Sequence, residues 1–359
     1  MADQERSPND ADTSRRSFVK GVAVAVGSMA LTSKAADVFA STTTAAARLT
    51  AAPNWADQIG LELFTVRDVT PKDYVGTLEK IAAIGYKEIE PAGGYNNMSP
   101  KQYRALLDRL GLKMPSTHSG ITAGPPSEME QQLAGFEIMG VEYSEFSAPR
   151  PAGAGRGNGR GRVPTAPQTP AAERKNREQF VKTMAQPRTV DDVKQEAARY
   201  NSYGKIAQKF GIKVLIHNHT VEFIPCTGSS EIPYDILLKD TDPELVAFQL
   251  DIGWATVAGQ NAISLFQQHP GRVPLWHVKD VDCLRSLPPV SEEGARMVEA
   301  RLVPIGNGEI DYAEIFKYAN VAGLKHFCIE QDSAAEWGDS IAAARVSYQQ
   351  LRAMLGSSA

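Results

Sequence analysis

From Gln58 onward the chain alternates short apolar runs with longer amphipathic stretches, the pattern of a strand followed by a helix. Residues 58–66 (QIGLELFTV) predict a strand, and 73–85 (DYVGTLEKIAAIG) predict a helix that stops on a glycine. Further strands are predicted at 86–91 (YKEIEP), 112–118 (LKMPSTH), 141–146 (VEYSEF), 212–219 (IKVLIHNH), 244–251 (ELVAFQLD), 272–280 (RVPLWHVKD) and 325–332 (KHFCIEQD). Helical stretches separate them, and the last helix covers 339–355. A helix–glycine–strand junction recurs as AAIGYKEIE, IMGVEYSEF, KFGIKVLIH and VAGLKHFCI, an internal repeat that sets the strand register. Eight such units in about 300 residues predict a (β/α)8 TIM barrel rather than a doubly wound sheet. No G-x-G-x-x-G turn joins a strand to a helix, which argues against a dinucleotide site.

Two segments fall outside the repeat. Residues 149–178 are rich in Gly, Pro and Arg and nearly free of apolar side chains, which predicts a mobile loop. It leaves from the end of the fourth strand, the face on which barrel active sites lie, so a lid over a polyhydroxy or anionic ligand is the second reading. Residues 283–304 interrupt the unit between the seventh strand and its helix and could cover the same face.

The N-terminus has a different character. SRRSFVK at 14–20, followed by GVAVAVGSMAL and the small-residue pattern VFA at 38–40, resembles a twin-arginine export signal. The apolar stretch is too short to span a bilayer, so no stable membrane span is expected after processing. Residues 1–50 are therefore read as signal and tether, and 51–359 as one barrel domain with an insert at about 149–180. The expected location is the periplasm or another exported one, with the twin-arginine translocase as a transient partner; a homo-oligomer is left open.

A formal net charge of −4 gives no electrostatic reason to expect nucleic acid as a partner. Three widely spaced cysteines, Cys226, Cys283 and Cys328, indicate neither a zinc ribbon nor a disulfide scaffold, though one disulfide is allowed.

The barrel rule sorts the polar residues. His118, His217, His219 and His277 fall at C-terminal strand ends, whereas His326 opens the eighth strand and His269 follows a helix. Glu90, Asp251 and Glu330 end strands two, six and eight. Alternation puts His217 and His219 on one face and Asn218 on the other. A lone buried charge at the end of an apolar run costs several kcal/mol, so each of these groups needs a partner. Converging carboxylates and imidazoles satisfy one another through a divalent metal, and this donor set suits Mn²⁺, Co²⁺, Zn²⁺ or Mg²⁺.

The series HNHTVEF, QLDIGWATVAGQ, WHVKD, VPIGNGEIDYAEIF and IEQD resembles the xylose isomerase-like TIM-barrel superfamily, within it the sugar phosphate isomerase/epimerase-like proteins. The resemblance runs from about Gln58 to Leu355. It implies a metal held by Asp251, His277, Glu330 and a strand-five residue that falls on His217 or His219, where the family usually has a glutamate. That substitution puts the usual two-glutamate proton shuttle in doubt. His219, Glu330 or Glu222 becomes the candidate base, with Lys279 as a candidate for polarising the carbonyl. His118, Glu90 and Trp254 are candidate substrate contacts.

The implied activity is proton abstraction next to a carbonyl of an unphosphorylated sugar or keto-sugar, through a metal-stabilised enediolate, by an isomerase or epimerase. Elimination from a 3-keto-glycoside or related keto-sugar by a lyase or dehydratase uses the same site and is the alternative. A non-catalytic carbohydrate-binding barrel is a third reading. An endonuclease-type phosphodiesterase needs more metal ligands and a DNA substrate, which the acidic balance disfavours.

Overall fold

The computed structural model describes residues 54–147 and 169–356; the arginine pair and most of the Gly/Pro/Arg insert lie outside the described residues. Eight parallel strands form a nearly closed barrel: β1 (Gly60–Glu62), β2 (Glu88–Glu90), β3 (Ser116–Thr122), β4 (Tyr143–Ser147), β5 (Lys213–His217), β6 (Val246–Asp251), β7 (Leu275–Val278) and β10 (His326–Ile329). A short antiparallel pair, β8 (Asp280–Val281) and β9 (Leu302–Val303), lies outside it. β2 and β3, the two ends of the sheet order, are stitched by backbone bonds from Ile89 to the Lys113 carbonyl (2.9 Å) and from His118 to the Pro91 carbonyl (3.0 Å).

The helices follow the repeat: α1 (Tyr74–Ile84), α2 (Pro100–Leu110), α3 (Pro126–Met139), α4 (Pro170–Met184), α5 (Val190–Ala207), α6 (Pro233–Asp240), α7 (Ile252–Val257), α8 (Ala262–Gln268), α9 (Glu293–Glu299), α10 (Tyr312–Ile315), α11 (Ala319–Ala322) and α12 (Ser340–Gly356). The repeating glycine has a backbone reason. Gly140 and Gly323 end their helices at φ 85° and 77°, a left-handed conformation in which a Cβ is strained. Strands covered on both faces read as continuous apolar runs, and all six residues of β6 are buried. Trp276 stacks on Phe266 with centroids 4.8 Å apart, so it is barrel packing.

Most strands are shorter than the pattern reading, the fifth ending at His217 before His219, and three elements differ further. The first strand ends at Glu62, because Leu63–Val66 turn into a 3-10 segment; only Gly60–Glu62 find neighbours on β10 and β2. The third strand starts later, at Ser116, and runs to Thr122 with a register shift between Thr117 and Ile121. The C-terminal part of the insert is helix α4, capped by the Thr169 hydroxyl accepting from Ala172 N (3.2 Å). Its Ala, Glu, Lys and Arg are good helix formers despite having almost no apolar stripe, which is why hydrophobic patterning misses it. α4 is held by ion pairs. Glu173 meets Arg67 in a contact whose side chains are each only 6% exposed, and Arg174 grips both oxygens of Glu299 on α9 (2.8 and 2.5 Å).

The loop after β7 is organised by one carboxylate. Asp280 accepts backbone N–H groups from Val281 (3.0 Å), Gly306 (2.9 Å), Gly308 (3.0 Å) and Ile310 (3.2 Å). A Cβ on Gly308 would lie 2.1 Å from Asp280 Oδ1, so the glycine is what lets the loop close on the acid. Asp280→Ala leaves those donors unsatisfied and should cost roughly 3 kcal/mol. Chemical denaturation checks this, and a loss under about 1 kcal/mol would rule out the organising role.

Candidate active site

Every barrel strand delivers a polar side chain to the C-terminal mouth: Glu62, Glu90, His118, Glu145, His217, then Gln249 with Asp251, His277, and Glu330 just past β10. Register sets the match. Asp251 pairs with His277 across β6–β7, His277 with Cys328 across β7–β10, and His217 with Gln249 across β5–β6. Asn218 locks two strand ends together by accepting from Asp251 N (2.9 Å) and donating to the Asp251 carbonyl (3.3 Å).

His277 is the hub, wholly buried. Its Nε2 lies 3.0 Å from Glu90 Oε1; its Nδ1 lies 2.8 Å from Glu330 Oε2, 3.6 Å from Glu62 Oε2 and 3.9 Å from Asp251 Oδ2. Glu90 is engaged on both oxygens, by His277 and His118 on one and by Gln249 Nε2 (2.7 Å) and the Ser116 hydroxyl on the other. Burial pushes the Glu90 carboxyl up, but His118 and His277 outweigh it and hold it well below the usual carboxylate range. An ionised Glu90 on Nε2 leaves Nδ1 as the nitrogen that faces the other acids, the arrangement by which an outer carboxylate orients a metal-binding histidine.

His118 bridges the remaining acids, with Nδ1 2.9 Å from Glu62 and Nε2 2.7 Å from both Glu90 and Gln249. The Lys279 ammonium lies 3.0 Å from Asp251 Oδ2, 2.8 Å from Glu330 Oε2 and 2.9 Å from Asp332 Oδ1. Burial would lower the Lys279 pKa, but Asp251, Asp332 and Glu330 hold it well above the ordinary lysine value. Gly253 makes this approach feasible, since a Cβ there would lie 2.6 Å from Lys279 Cβ. Burial lowers the His277 pKa too, yet Glu90, Glu62 and Glu330 outweigh it and raise it to about 10. Burial and the neighbouring Glu330 raise Glu62 to about 8, and burial raises Asp251 to about 6.

Three overlapping sets offer ligand atoms within 4.8 Å of one another: Asp251–His277–Glu330, His118–His217–His277, and Glu62–Glu90–His118–His277. The first fits a divalent ion best. Asp251 Oδ2 and Glu330 Oε2 are fully buried, lie 3.9 and 2.8 Å from His277 Nδ1, and have only cationic groups, Lys279 and the imidazoles, to balance them. His217 Nε2 lies 3.8 Å from the same Asp251 oxygen and can complete the set.

The other sequence candidates take different places. His219 lies in none of the three sets; its ring packs against His217 (4.9 Å between centroids) and against Phe180 of α4 (4.6 Å). Glu222 turns back to accept His219 N–H (2.6 Å), holding the loop, and burial raises it to about 7. Trp254 is fully buried among Val257, Val281 and Met297, with its ring 5.3 Å from Lys279 Nζ, so it walls the lysine rather than a solvent-open cleft. Glu90 and His118, read as substrate contacts, pair with one another, and Glu90 also pairs with His277. All three cysteines are free thiols. Pattern reading misses Glu62, Gln249 and Asp332. Gln249 shares Asp251's face two residues earlier, a signal present in the sequence, whereas Glu62 is hidden inside an apolar run that looks like continuous strand.

The family profile described as xylose isomerase-like TIM barrel matches residues 78–347, and the chain belongs to that family. It is similar to the inosose dehydratase of Geobacillus thermodenitrificans, 28% identical over 141 residues that make up 37% of this chain and 46% of that protein. The chain thus spans about half the length of that curated relative. Among solved structures it is similar in fold to a sugar phosphate isomerase/epimerase from Parabacteroides distasonis (TM-score 0.60, 20% identity, 83% of this chain and 94% of that one). A probable 3-DHS dehydratase from Bacillus anthracis is also similar (TM-score 0.55, 13% identity, 82% and 98%).

The raised groups make a pH prediction. His277 (6.5 raised to about 10) and Glu62 (4.5 raised to about 8) bind protons more tightly in the folded, metal-free protein than in the unfolded chain. Their stabilisation is therefore complete below the ordinary values and lost as pH rises through the folded ones. The metal-free protein should lose roughly 5 °C or more in Tm between pH 7 and 10. Saturating metal should flatten that slope, because ligation requires a deprotonated His277. A metal-free Tm that rises across this range would contradict the assignment.

Proposed function

We propose that the barrel is a divalent-metal-dependent enzyme that removes a proton next to a carbonyl in an unphosphorylated sugar or keto-sugar, with elimination of a β-leaving group completing the reaction. The observation that carries this reading is the convergence of Asp251 Oδ2 and Glu330 Oε2 on His277 Nδ1 at the barrel mouth. Asp251, His277, Glu330 and His217 would hold the ion, which when bound supplies Lewis-acid polarisation of the substrate carbonyl. Mn²⁺, Co²⁺, Mg²⁺ and Zn²⁺ all suit the donors.

His219 is the proposed base. It is partly exposed, lies beside the ligand sets without belonging to them, and an imidazole suits proton transfer near neutral pH. Glu222 positions it through the backbone. Lys279, held cationic by Asp251, Glu330 and Asp332, is the group that would stabilise an oxygen on which negative charge develops. Elimination needs one base and an acid for the leaving group, and strand five supplies histidine where the resembled isomerases carry the second glutamate. The similarity to an inosose dehydratase supports the same reading. Epimerisation or isomerisation is the second reading, favoured by Asp251, His277 and Glu330 matching the isomerase/epimerase pattern; it shares the first step and differs in reprotonation. A substrate without phosphate is preferred because the sequence has no dedicated phosphate loop and because export, if it occurs, leads away from sugar phosphates.

Metal analysis should find about one divalent ion per chain. Incubation in D₂O with ketoses and 3-keto-glycosides should then exchange the carbon-bound proton. An unsaturated product supports elimination, and deuterium retained in a sugar product supports epimerisation or isomerisation. His277→Ala should lose the ion, whereas His219→Gln should keep it and slow exchange on the order of 100-fold or more. Absence of exchange across the panel would count against an enzyme, and ligand affinity indifferent to EDTA would favour a carbohydrate-binding barrel.

We also infer export in a folded state through the twin-arginine route, supported by Arg15 and Arg16 ahead of a short apolar stretch. Replacing both by lysine should retain the protein in the cytoplasm; continued export of that variant would sink the inference.

A further inference from the structure

Lys279 is engaged with the same atoms that make the first ligand set. Its Nζ lies 3.0 Å from Asp251 Oδ2 and 2.8 Å from Glu330 Oε2, the two carboxylate oxygens that face His277 Nδ1 in that set, at 3.9 and 2.8 Å. Its third partner, Asp332 Oδ1 at 2.9 Å, belongs to none of the three ligand sets. A divalent ion sits about 2.0–2.2 Å from carboxylate oxygens. An ammonium left at hydrogen-bond distance from both of those oxygens would face a double positive charge in a site with little water to screen it.

We propose that Lys279 is the built-in counter-cation of the metal-free barrel, and that a divalent ion and the Lys279 ammonium compete for Asp251 Oδ2 and Glu330 Oε2, with Asp332 receiving the ammonium when the ion enters. This inference rests on the metal reading above. The geometry supplies both halves of the exchange. Two of the lysine's partners are shared with the ion, and one is private to the lysine and accepts its hydrogen bond. The Asp332 side chain is 16% exposed against 0% for Asp251, so the private partner lies on the solvent side of the shared pair. The lysine therefore has a route outward that keeps it paired throughout. Without its counter-cation the acid pair would repel, and the strand ends would spread before the ion arrived.

The test uses the full chain stripped with a chelator and titrated with Mn²⁺, with thermal melting recorded alongside. Lys279→Met should bind Mn²⁺ at least tenfold more tightly than the parent chain while its metal-free form melts lower. A lysine with only a structural role would weaken both. Asp332→Asn should weaken Mn²⁺ binding at least fivefold beside Lys279, and less than twofold in the Lys279→Met background. Binding by Lys279→Met that is unchanged or weaker overturns the competition while leaving the metal site standing. An Asp332 effect of equal size in both backgrounds overturns it too. Should Lys279→Met fail to fold, Asp332→Asn alone decides, and unchanged Mn²⁺ affinity there overturns the proposal. Failure of both the parent chain and Lys279→Met to bind Mn²⁺ would overturn this proposal together with the metal reading.

Discussion

The structure depends on pairing buried charge at the ends of its strands. Glu62, Glu90, Asp251, Glu330 and His277 are each no more than 3% exposed, and Lys279 is 1% exposed. A charge taken out of water without a partner costs several kcal/mol, and removing one member of a buried pair typically costs about 3–5 kcal/mol. Such groups are tolerated only if the backbone delivers their partners to within hydrogen-bond reach. The barrel does this through register, since neighbouring strands put Asp251 level with His277 and His277 level with Cys328, two residues before Glu330. The chemistry and the stability of the mouth are thus one electrostatic arrangement, and a change in proton or cation content at one group is felt by the others.

The rest of the fold keeps that arrangement rigid. Asn218 ties the ends of β5 and β6 through the backbone of Asp251. Asp280 gathers four loop amides immediately beyond Lys279 and so fixes where the lysine leaves β7. Over the mouth lies α4, tied by Glu173 to Arg67 after β1 and by Arg174 to Glu299 on α9. Phe180 on that helix meets His219, so the insert joins the face where the chemistry is placed. Phe180 and Val181 also pack that helix onto the apolar cluster around Trp254 and Met297.

Much of this was legible beforehand, for identifiable reasons. Alternating patterns and recurrent helix-ending glycines gave the barrel, because period-2 and period-3.6 burial are written in the order of residues. Apolar runs ending in His217, Asp251, His277 and Glu330 marked one face, because a buried polar group at a strand end demands an explanation. Glu62 escaped because Leu63 and Phe64 continue its apolar run although the strand has already ended. α4 escaped because its apolar anchors are only Phe180 and Val181, packed on a buried cluster, and its charge pairs reach distant segments, so no hydrophobic period marks it.

By itself, then, the sequence determined the repeat, the strand polarity and which residue types gather at the mouth, since local burial patterns suffice for these. Only the tertiary structure decided who pairs with whom. It paired Glu90 with His118 and His277, set His219 against Phe180, and put Lys279 between Asp251, Glu330 and Asp332. Those choices turn on distances of about 3 Å between residues far apart in the chain. Coulomb and hydrogen-bond energies change steeply over that range, and no one-dimensional pattern encodes it.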